Sequence, residues 1–251
     1  MKFIAIIPAR YASTRFPAKP LAMLGEKTII QRVYERVSQS FDEVCVATDD
    51  QRILSVVESF GGRAVMTSVN HRSGTDRCYE AYCTLGSDAD VVVNVQGDEP
   101  FIAASQLTAI KECFADDSTE IATLVKPFPA DATYEFVANP NSPKVVVSND
   151  NYALYFSRSV IPYMRGIPQT EWPAKHRYLK HIGLYAYKAD VLKQITSMPQ
   201  SELELAESLE QLRWLQAGLR IKVGYTDVET IGIDTPEDLQ RAEQFLNDNR
   251  K

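Results

Sequence analysis

Apolar and polar stretches alternate regularly through the first half of this 251-residue chain. Short apolar runs of strand length are followed by stretches whose apolar residues recur three or four positions apart, as on one face of a helix. The predicted strands lie at residues 3–7, 44–47, 64–66 and 91–95. Helices are predicted at 29–37, around 53–60 and through Tyr82. This order of strands and helices predicts an α/β protein with a mostly parallel sheet and right-handed crossovers.

The second half of the chain is less regular, because prolines interrupt it at residues 126–129 and 139–143. Short strands are predicted at 145–147, 153–156, 182–187 and 221–225, and helices near 205–217 and from Pro236 to about Leu246. The chain contains no internal repeat, low-complexity tract or linker. We therefore predict one domain, residues 1–251, that carries an inserted, partly antiparallel region at about residues 126–190.

Composition narrows the class of partner. The formal net charge of −6 argues against nucleic acid, whose phosphate backbone requires a broad basic surface. No apolar run approaches the ~20 residues of a membrane span, and the first residues do not form a signal peptide. We expect a cytoplasmic protein without membrane insertion. The four cysteines lack the spacing of a zinc site and are expected to be buried, reduced thiols.

A basic loop follows the first predicted strand. Residues 8–20 hold three cations (Arg10, Arg15, Lys19), three prolines and two hydroxyl residues. In open α/β folds, ligands bind at the carboxyl ends of the strands. Arginine makes bidentate contacts to phosphate and lysine supplies a point charge, so the loop is suited to a polyphosphate. The glycine-rich motifs of P-loop and dinucleotide-binding proteins are missing here.

Two further segments carry carboxylates suited to Mg²⁺. Asp98 lies in Gln96-Gly97-Asp98-Glu99-Pro100, directly after the strand at 91–95. Mg²⁺ often takes only one or two protein carboxylates together with phosphate oxygens, although an aspartate that merely stabilises a turn is the alternative. Asp234 precedes Thr235-Pro236-Glu237-Asp238, which has the residues of a helix N-cap and thus leaves Asp234 available. If the fold brings these two acids together, they could hold one or two metal ions.

A polar loop at residues 71–77 offers a further nucleotide contact. His71, Arg72, Ser73, Thr75 and Arg77 surround Gly74, and their donors suit a base or a ribose. A plain helix start explains the serine and threonine equally well.

Taken together, these segments resemble a known family. The motifs that carry the resemblance occur in this order along the chain: Pro8-Ala9-Arg10, Ser13-Thr14-Arg15, Lys19-Pro20-Leu21, Ser73-Gly74-Thr75-Asp76-Arg77, Val95-Gln96-Gly97-Asp98-Glu99-Pro100, Tyr155-Phe156-Ser157-Arg158, His181-Ile182-Gly183-Leu184-Tyr185, Leu209-Glu210-Gln211-Leu212-Arg213 and Asp234-Thr235-Pro236-Glu237-Asp238. The chain is similar from end to end to the bacterial cytidylyltransferases of 3-deoxy-manno-octulosonate (Kdo), the CMP-Kdo synthetases. One departure is Ala18, where the family usually has glycine, and we expect a slightly different backbone there.

The resemblance implies a three-layer αβα nucleotidyltransferase fold of Rossmann-like type. It implies that CTP and the sugar acid react to give the CMP-sugar and pyrophosphate, with Mg²⁺ as cofactor, for lipopolysaccharide biosynthesis. The implied catalytic set is Arg10, Lys19, Asp98 and Asp234. The implied nucleotide contacts are Arg10, Arg15, Lys19, Ser73, Arg77 and Gln96, and the metal ligands are Asp98 and Asp234. The implied sugar site is Arg158, His181, Tyr185, Glu210 and Gln211, and a homodimer is implied through about residues 126–187.

The residues leave alternatives open. Without the resemblance, His181 would be read as a satisfied, half-buried histidine and Glu210 as part of a solvated helix face. The sugar acid could be a relative of Kdo, such as 8-amino-Kdo or a sialic acid. A non-catalytic nucleotide-binding regulator would bind CTP without turnover. A dehydrogenase is disfavoured because the glycine fingerprint is missing.

Overall fold

The computed structural model describes residues 1–13, 15–229 and 231–248. Thr14, one residue of the basic loop, lies outside the described residues. The first elements are β1 Phe3–Ala9, β2 Met23–Leu24, β3 Lys27–Thr28, α1 Ile29–Val37, β4 Glu43–Thr48, α2 Gln51–Ser59, β5 Ala64–Met66, α3 Gly74–Leu85, β6 Val91–Asn94 and α4 Ala104–Glu112. The others are β7 Ile121–Pro127, α5 Tyr134–Ala138, β8 Lys144–Val147, β9 Ala153–Ser157, α6 Trp172–Lys175, β10 Leu179–Lys188, α7 Ala189–Thr196, α8 Glu202–Glu207, α9 Gln211–Gln216, β11 Ile221–Tyr225 and α10 Pro236–Asp248.

The chain folds as two compact units. Unit 1 comprises Met1–Thr108, Tyr187–Thr196 and the described residues from Glu229 onward. Unit 2 comprises Ala109–Ala186 and Ser197–Val228. The single domain predicted for residues 1–251 stays a prediction.

Unit 1 is built on four parallel strands in the order β6-β1-β4-β5. Ile4, Ile6 and Ile7 of β1 are wholly or almost wholly buried, as expected for a parallel strand that is covered on both faces. The chain runs from β1 through α1 and α2 to β5, then returns through α3 to β6. Right-handed crossovers therefore place α1 and α2 on one face of the sheet and α3 on the other. The α/β prediction, with its mostly parallel sheet and three layers, is confirmed.

Unit 2 contains the antiparallel region. In its sheet β11 lies parallel to β7 and β7 lies beside β10, whereas β8 is antiparallel to both β10 and β9. Phe128, Val137, Trp172 and Tyr178 of this unit form an apolar cluster, against which Tyr134, Met164 and Ile167 pack. The presence of an inserted, partly antiparallel region is therefore confirmed, and its predicted bounds of about residues 126–190 stay a prediction.

Three local expectations need correction or addition. The single helix predicted near residues 205–217 is two helices, α8 and α9, because Ser208 takes the left-handed conformation (φ 50°, ψ 48°), which ends α8. Strand β7 was not predicted, since its short apolar run leads directly into Pro127. Of the cysteines, Cys83 is exposed, because the buried face of α3 is formed by Thr75, Arg77, Cys78 and Ala81. Among the described helices, none has the length and apolarity needed to cross a bilayer.

Candidate active site

The basic loop of unit 1 folds back on itself after β1. The Ala18 N–H donates to the Tyr11 carbonyl at 3.0 Å, and the Phe16 N–H donates to Ser13 Oγ at 3.3 Å. Ala18 adopts a left-handed conformation (φ 58°, ψ 17°), which glycine would adopt more easily. The turn delivers Lys19 into the short 3₁₀ helix Lys19–Leu21. The loop thus fixes the backbone position of Lys19, from which the side chain extends.

The Asp98 loop packs closely against the end of β1. A Cβ atom at Gly97 would lie 2.8 Å from the Pro8 carbonyl oxygen, so only glycine permits this approach. The Glu99 N–H donates to the Gln96 carbonyl at 3.3 Å and closes the turn around Asp98. Gly97 therefore has a structural role that positions Asp98 next to the basic loop.

Asp234 is placed by two sets of backbone hydrogen bonds. The Ile233 N–H donates to the Asp98 carbonyl at 2.9 Å, which joins the two acidic loops. At the start of α10, Asp238 N–H donates to Thr235 Oγ1 at 3.2 Å, and Asp238 Oδ2 accepts from the Thr235 and Asp234 N–H groups at 2.9 Å each. The predicted N-cap is confirmed, and its bonds are made by Asp238 and Thr235. The Asp234 carboxylate is left to face the basic loop.

Asp98 and Asp234 converge on one ammonium group. Lys19 Nζ lies 2.6 Å from Asp98 Oδ2 and 3.2 Å from Asp234 Oδ1, and Arg15 Nη1 lies 3.1 Å from Asp234 Oδ2. The Lys19 side chain is only 15% exposed, so its attraction to the acids is screened less than in a surface pair. The site thus holds two carboxylates and two cations in contact, an arrangement suited to a ligand that itself carries both anions and cations.

These residues line a cavity of about 250 Å³ in unit 1. The six predicted nucleotide contacts all lie in its wall: Arg10, Arg15, Lys19, Ser73, Arg77 and Gln96. Both predicted metal ligands, Asp98 and Asp234, line it as well. The structure therefore brings together every predicted residue of the nucleotide and metal sites.

The polar loop at 71–77 has a structural role in addition to lining the cavity. Ser73 is the N-cap of α3, and its Oγ accepts from the Asp76 N–H at 3.1 Å. Arg77 is buried, with Nη2 2.7 Å from Asp49 Oδ2 and Nη1 2.6 Å from Thr67 Oγ1. Asp49 was not predicted as a site residue. It follows a strand at the same sheet edge, and that position was the only signal that could have indicated it.

The predicted sugar residues of unit 2 lie in a more apolar setting. The His181 ring packs against Phe156 and Tyr185, at centroid distances of 5.2 and 5.3 Å. Tyr185 packs in turn against Trp214 of α9. Burial lowers the pKa of His181 to about 3, and burial followed by the nearby charge of Glu210 raises the pKa of Tyr185 well above its ordinary value. His181 is therefore a neutral imidazole near neutral pH, and Tyr185 keeps its proton.

Arg158 is held by main-chain oxygens. Its Nε donates to the Glu207 carbonyl at 2.6 Å, Nη1 to the Pro140 carbonyl at 2.8 Å, and Nη2 to the Ser208 carbonyl at 3.2 Å. The guanidinium carries five N–H groups and these contacts use three of them; no described residue accepts from the other two. These contacts fix Arg158 to the bend that separates α8 from α9.

Glu210 and Gln211 lie at the start of α9. Glu210 Oε1 accepts from Arg213 Nη2 at 2.8 Å. Gln211 is only 4% exposed, and none of the described residues accepts a hydrogen bond from its Nε2. A buried amide in this condition is suited to a polar ligand. Thr123 and Glu207, which contact His181 and Arg158, were not predicted, and nothing in their local sequence distinguishes them.

The fold and the unit 1 cavity together define a nucleotide-binding transferase, and the chain belongs to the cytidylyltransferase family, whose sequence model matches residues 4–221. It is 68% identical over 246 residues to the 3-deoxy-manno-octulosonate cytidylyltransferase of Phocaeicola vulgatus, with 98% of each chain covered. It is 65% identical over 246 residues to the enzyme of that name from Bacteroides thetaiotaomicron, again with 98% of each chain covered.

A solved structure agrees with these relatives. The structure of CMP:2-keto-3-deoxy-manno-octonic acid synthetase complexed with CTP matches with a TM-score of 0.90 and 42% sequence identity. The match covers 99% of this chain and 100% of that chain. The resemblance inferred from the sequence motifs is confirmed.

Proposed function

We infer that this chain is a 3-deoxy-manno-octulosonate cytidylyltransferase, which transfers the cytidylyl group of CTP to the sugar acid. Similarity over the full length to relatives of that name supports the activity. The observation that carries the mechanism is the convergence of Asp98 and Asp234 on Lys19 in the cavity of unit 1.

The reaction is an in-line displacement at phosphorus. The anomeric hydroxyl oxygen of the sugar acid forms a bond to the α-phosphorus of CTP and loses its proton to solvent water. The bond from that phosphorus to the oxygen bridging to the β-phosphorus breaks, and pyrophosphate leaves with the electron pair. Because negative charge builds on the phosphate oxygens and the leaving group, positioning and electrostatic stabilisation carry the catalysis.

Arg10, Arg15 and Lys19 supply the positive charge for the triphosphate. Arg10 is exposed at the cavity wall, whereas Lys19 and Arg15 are paired with the two acids. We propose that Lys19 neutralises Asp98 and Asp234 in the free protein and turns to the phosphates when CTP enters. Ser73, Arg77 and Gln96 line the same cavity and bind the rest of the nucleotide.

The carboxylates fit Mg²⁺ by the chemistry of the donor set. Among the described residues, no group of three or more His, Cys, Asp or Glu side chains is placed to hold a metal. Two carboxylates that share their ion with substrate phosphates are the usual arrangement for Mg²⁺. Asp98 and Asp234 would hold it. When bound, it would neutralise triphosphate charge and lower the pKa of the attacking hydroxyl.

In unit 2, we propose that Arg158 binds the carboxylate of the sugar acid, because two of its N–H groups have no acceptor among the described residues. The sugar hydroxyls are bound by His181, Tyr185, Glu210 and Gln211. The neutral state of His181 and the buried amide of Gln211 support this division of roles, since both groups form uncharged hydrogen bonds.

We also propose a cytoplasmic homodimer that supplies an activated sugar for lipopolysaccharide biosynthesis. The use of CTP supports the cytoplasmic location. Exposed apolar side chains at Phe136, Leu154 and Tyr163, within the region predicted for the interface, support self-association. Sedimentation that finds a monomer at micromolar concentration would reject the dimer.

The activity is tested by measuring pyrophosphate release from CTP with and without Kdo and Mg²⁺, and by detecting the CMP-sugar by ³¹P NMR. We expect release only when all components are present. Release with 8-amino-Kdo or a sialic acid but not with Kdo would assign the enzyme to another sugar acid. CTP binding without release with any acceptor would identify a regulator and reject the enzyme.

A further inference from the structure

His181 of unit 2 forms a hydrogen bond with Thr123, a residue outside the proposed sugar site. Its Nε2 lies 3.0 Å from Oγ1 of Thr123, a wholly buried residue of β7. The two residues lie on different strands, Thr123 on β7 and His181 on β10. The contact joins the half-buried ring of His181 to a hydroxyl that is wholly buried.

The hydroxyl of Thr123 already has acceptors for its single proton. Its Oγ1 lies 3.1 Å from the Ile182 carbonyl oxygen and 2.9 Å from the Leu184 carbonyl oxygen. A carbonyl oxygen can only accept, so a contact of this kind uses the threonine proton. Toward other groups, Oγ1 then acts as an acceptor through its two lone pairs.

These contacts of Thr123 determine which nitrogen of the His181 imidazole carries the hydrogen. If Thr123 accepts, Nε2 of His181 must carry the hydrogen. Burial keeps the ring neutral, since it lowers the His181 pKa to about 3, so the ring has one N–H group and one lone pair. With hydrogen on Nε2, the lone pair is on Nδ1.

We propose that Thr123 is a positioning residue that holds His181 in the Nε2–H tautomer, so that Nδ1 accepts a hydrogen bond from a hydroxyl of the sugar acid. The proposal rests on the proposed function, because it takes His181 as part of the sugar site. It has a consequence for specificity. A lone pair at Nδ1 repels a carboxylate but accepts a hydrogen bond from a hydroxyl. His181 therefore selects a hydroxyl at its position, and Arg158 binds the carboxylate.

The tautomer is measured directly on the full-length wild-type protein, without substrate, by ¹⁵N NMR of histidine-labelled protein. The chain has three histidines, so a spectrum of the His181→Gln variant assigns the signals of residue 181. We expect a protonated Nε2 and an unprotonated Nδ1 at neutral pH. A protonated Nδ1, or an imidazolium, would overturn the proposal without any test of catalysis.

Three variants then test the role of Thr123. Thr123→Val removes the hydroxyl at nearly constant volume, and Thr123→Ser retains it. Thr119→Val is the matched control, because Thr119 is also wholly buried in unit 2 and donates to a main-chain oxygen, that of Cys113 at 2.7 Å. We expect the wild-type tautomer in Thr123→Ser and in Thr119→Val, and its loss in Thr123→Val.

Kinetics give an independent readout. In Thr123→Val we expect KM for the sugar acid to rise by about three- to ten-fold while KM for CTP stays within about two-fold, and Thr123→Ser should restore it. An unchanged tautomer or an unchanged sugar KM in Thr123→Val would overturn the proposal. If instead the wild-type protein has the expected tautomer but no turnover with any sugar acid, the proposed function fails and the tautomer assignment stands.

Discussion

The two groups of site residues differ in the kind of interaction that positions them. In unit 1, backbone hydrogen bonds place the loops, and the charged ends of four side chains contact each other as ion pairs: Lys19, Arg15, Asp98 and Asp234. Arg15 and Asp234 are substantially exposed. In unit 2, His181 is a neutral ring packed among aromatic side chains, and Arg158 is fixed by carbonyl oxygens. Charges that neutralise one another can be rearranged by an ionic ligand, whereas buried neutral hydrogen bonds keep a fixed pattern of donors and acceptors.

This difference suits two kinds of ligand. A nucleoside triphosphate with its metal is recognised mainly by charge, and a sugar acid is recognised mainly by the position of each hydroxyl. The contrast predicts that substitutions in unit 1 act chiefly on turnover and respond to Mg²⁺. Substitutions in unit 2 act on sugar affinity and on the pH dependence of stability.

The largest effect is expected at the two acids. Asp98→Asn or Asp234→Asn should lower kcat by about two to four orders of magnitude at saturating Mg²⁺, because each removes a metal ligand and charge stabilisation. Pyrophosphate release measures the loss, and circular dichroism checks the fold. Asp88→Asn is the matched control, since Asp88 is an exposed acid of unit 1 that pairs with Lys2, and it should keep full activity. Near-normal turnover in either acid variant would remove its metal role.

The second effect concerns stability at low pH. His181 has a folded pKa of about 3, below its unfolded value, so the unfolded chain takes up the proton first as pH falls. The stability that comes from the neutral ring is fully present above pH ~6.5 and is lost as pH falls towards 3. Between pH 6.5 and 4.5 this loss amounts to about 2–3 kcal/mol.

Urea unfolding of wild type and His181→Gln at both pH values measures this loss. Between these pH values, the free energy of unfolding of His181→Gln should fall by about 2–3 kcal/mol less than that of wild type, because glutamine does not titrate. Parallel pH profiles for the two proteins would show that His181 is charged or exposed, and the contrast between the units would then fail.

The third effect tests whether Lys19 is the counter-ion of the acids. Lys19→Met should lower kcat/KM for CTP by about 10- to 100-fold, because a charged contact to the triphosphate is lost. It also leaves Asp98 and Asp234 facing each other without the ammonium group. Mg²⁺ should therefore raise the unfolding temperature of Lys19→Met by more than that of wild type, as followed by differential scanning fluorimetry. An equal shift in both proteins would contradict competition between the lysine and the metal.

The smallest effect is expected at Ala18, where the left-handed backbone disfavours a Cβ atom. Ala18→Gly should stabilise the protein by about 0.5–1 kcal/mol while activity stays unchanged. Ala22→Gly is the control, because Ala22 has φ −63° and gains nothing from glycine. Equal destabilisation by both substitutions would show that the turn is not strained.

Much of unit 1 could be predicted from the sequence. Its strands are short apolar runs, and in a parallel sheet their carboxyl ends share one edge, so the chemistry of Arg10 and Asp98 followed from their positions. The approach of Asp234 did not follow from the residue pattern and came from the family resemblance, because it depends on the hydrogen bond between Ile233 and Asp98 across distant parts of the chain.

Unit 2 was harder to predict for a physical reason. The roles of His181 and Glu210 came from the family resemblance alone, since a single polar residue on a strand or helix has no distinguishing pattern. The partners that determine their state are also remote in sequence: Thr123 lies on a strand that was not predicted. The bend at Ser208 depends on one left-handed residue that is not a glycine, and local propensity favours a continuous helix there.

A crystal structure of the protein with CTP, Mg²⁺ and a sugar acid tests the central claim most directly. We predict that Asp98 and Asp234 both ligate Mg²⁺ and that the Lys19 ammonium group has moved from the carboxylates to the triphosphate. A structure in which the ion is held elsewhere, with Lys19 still paired to both acids, would contradict the account.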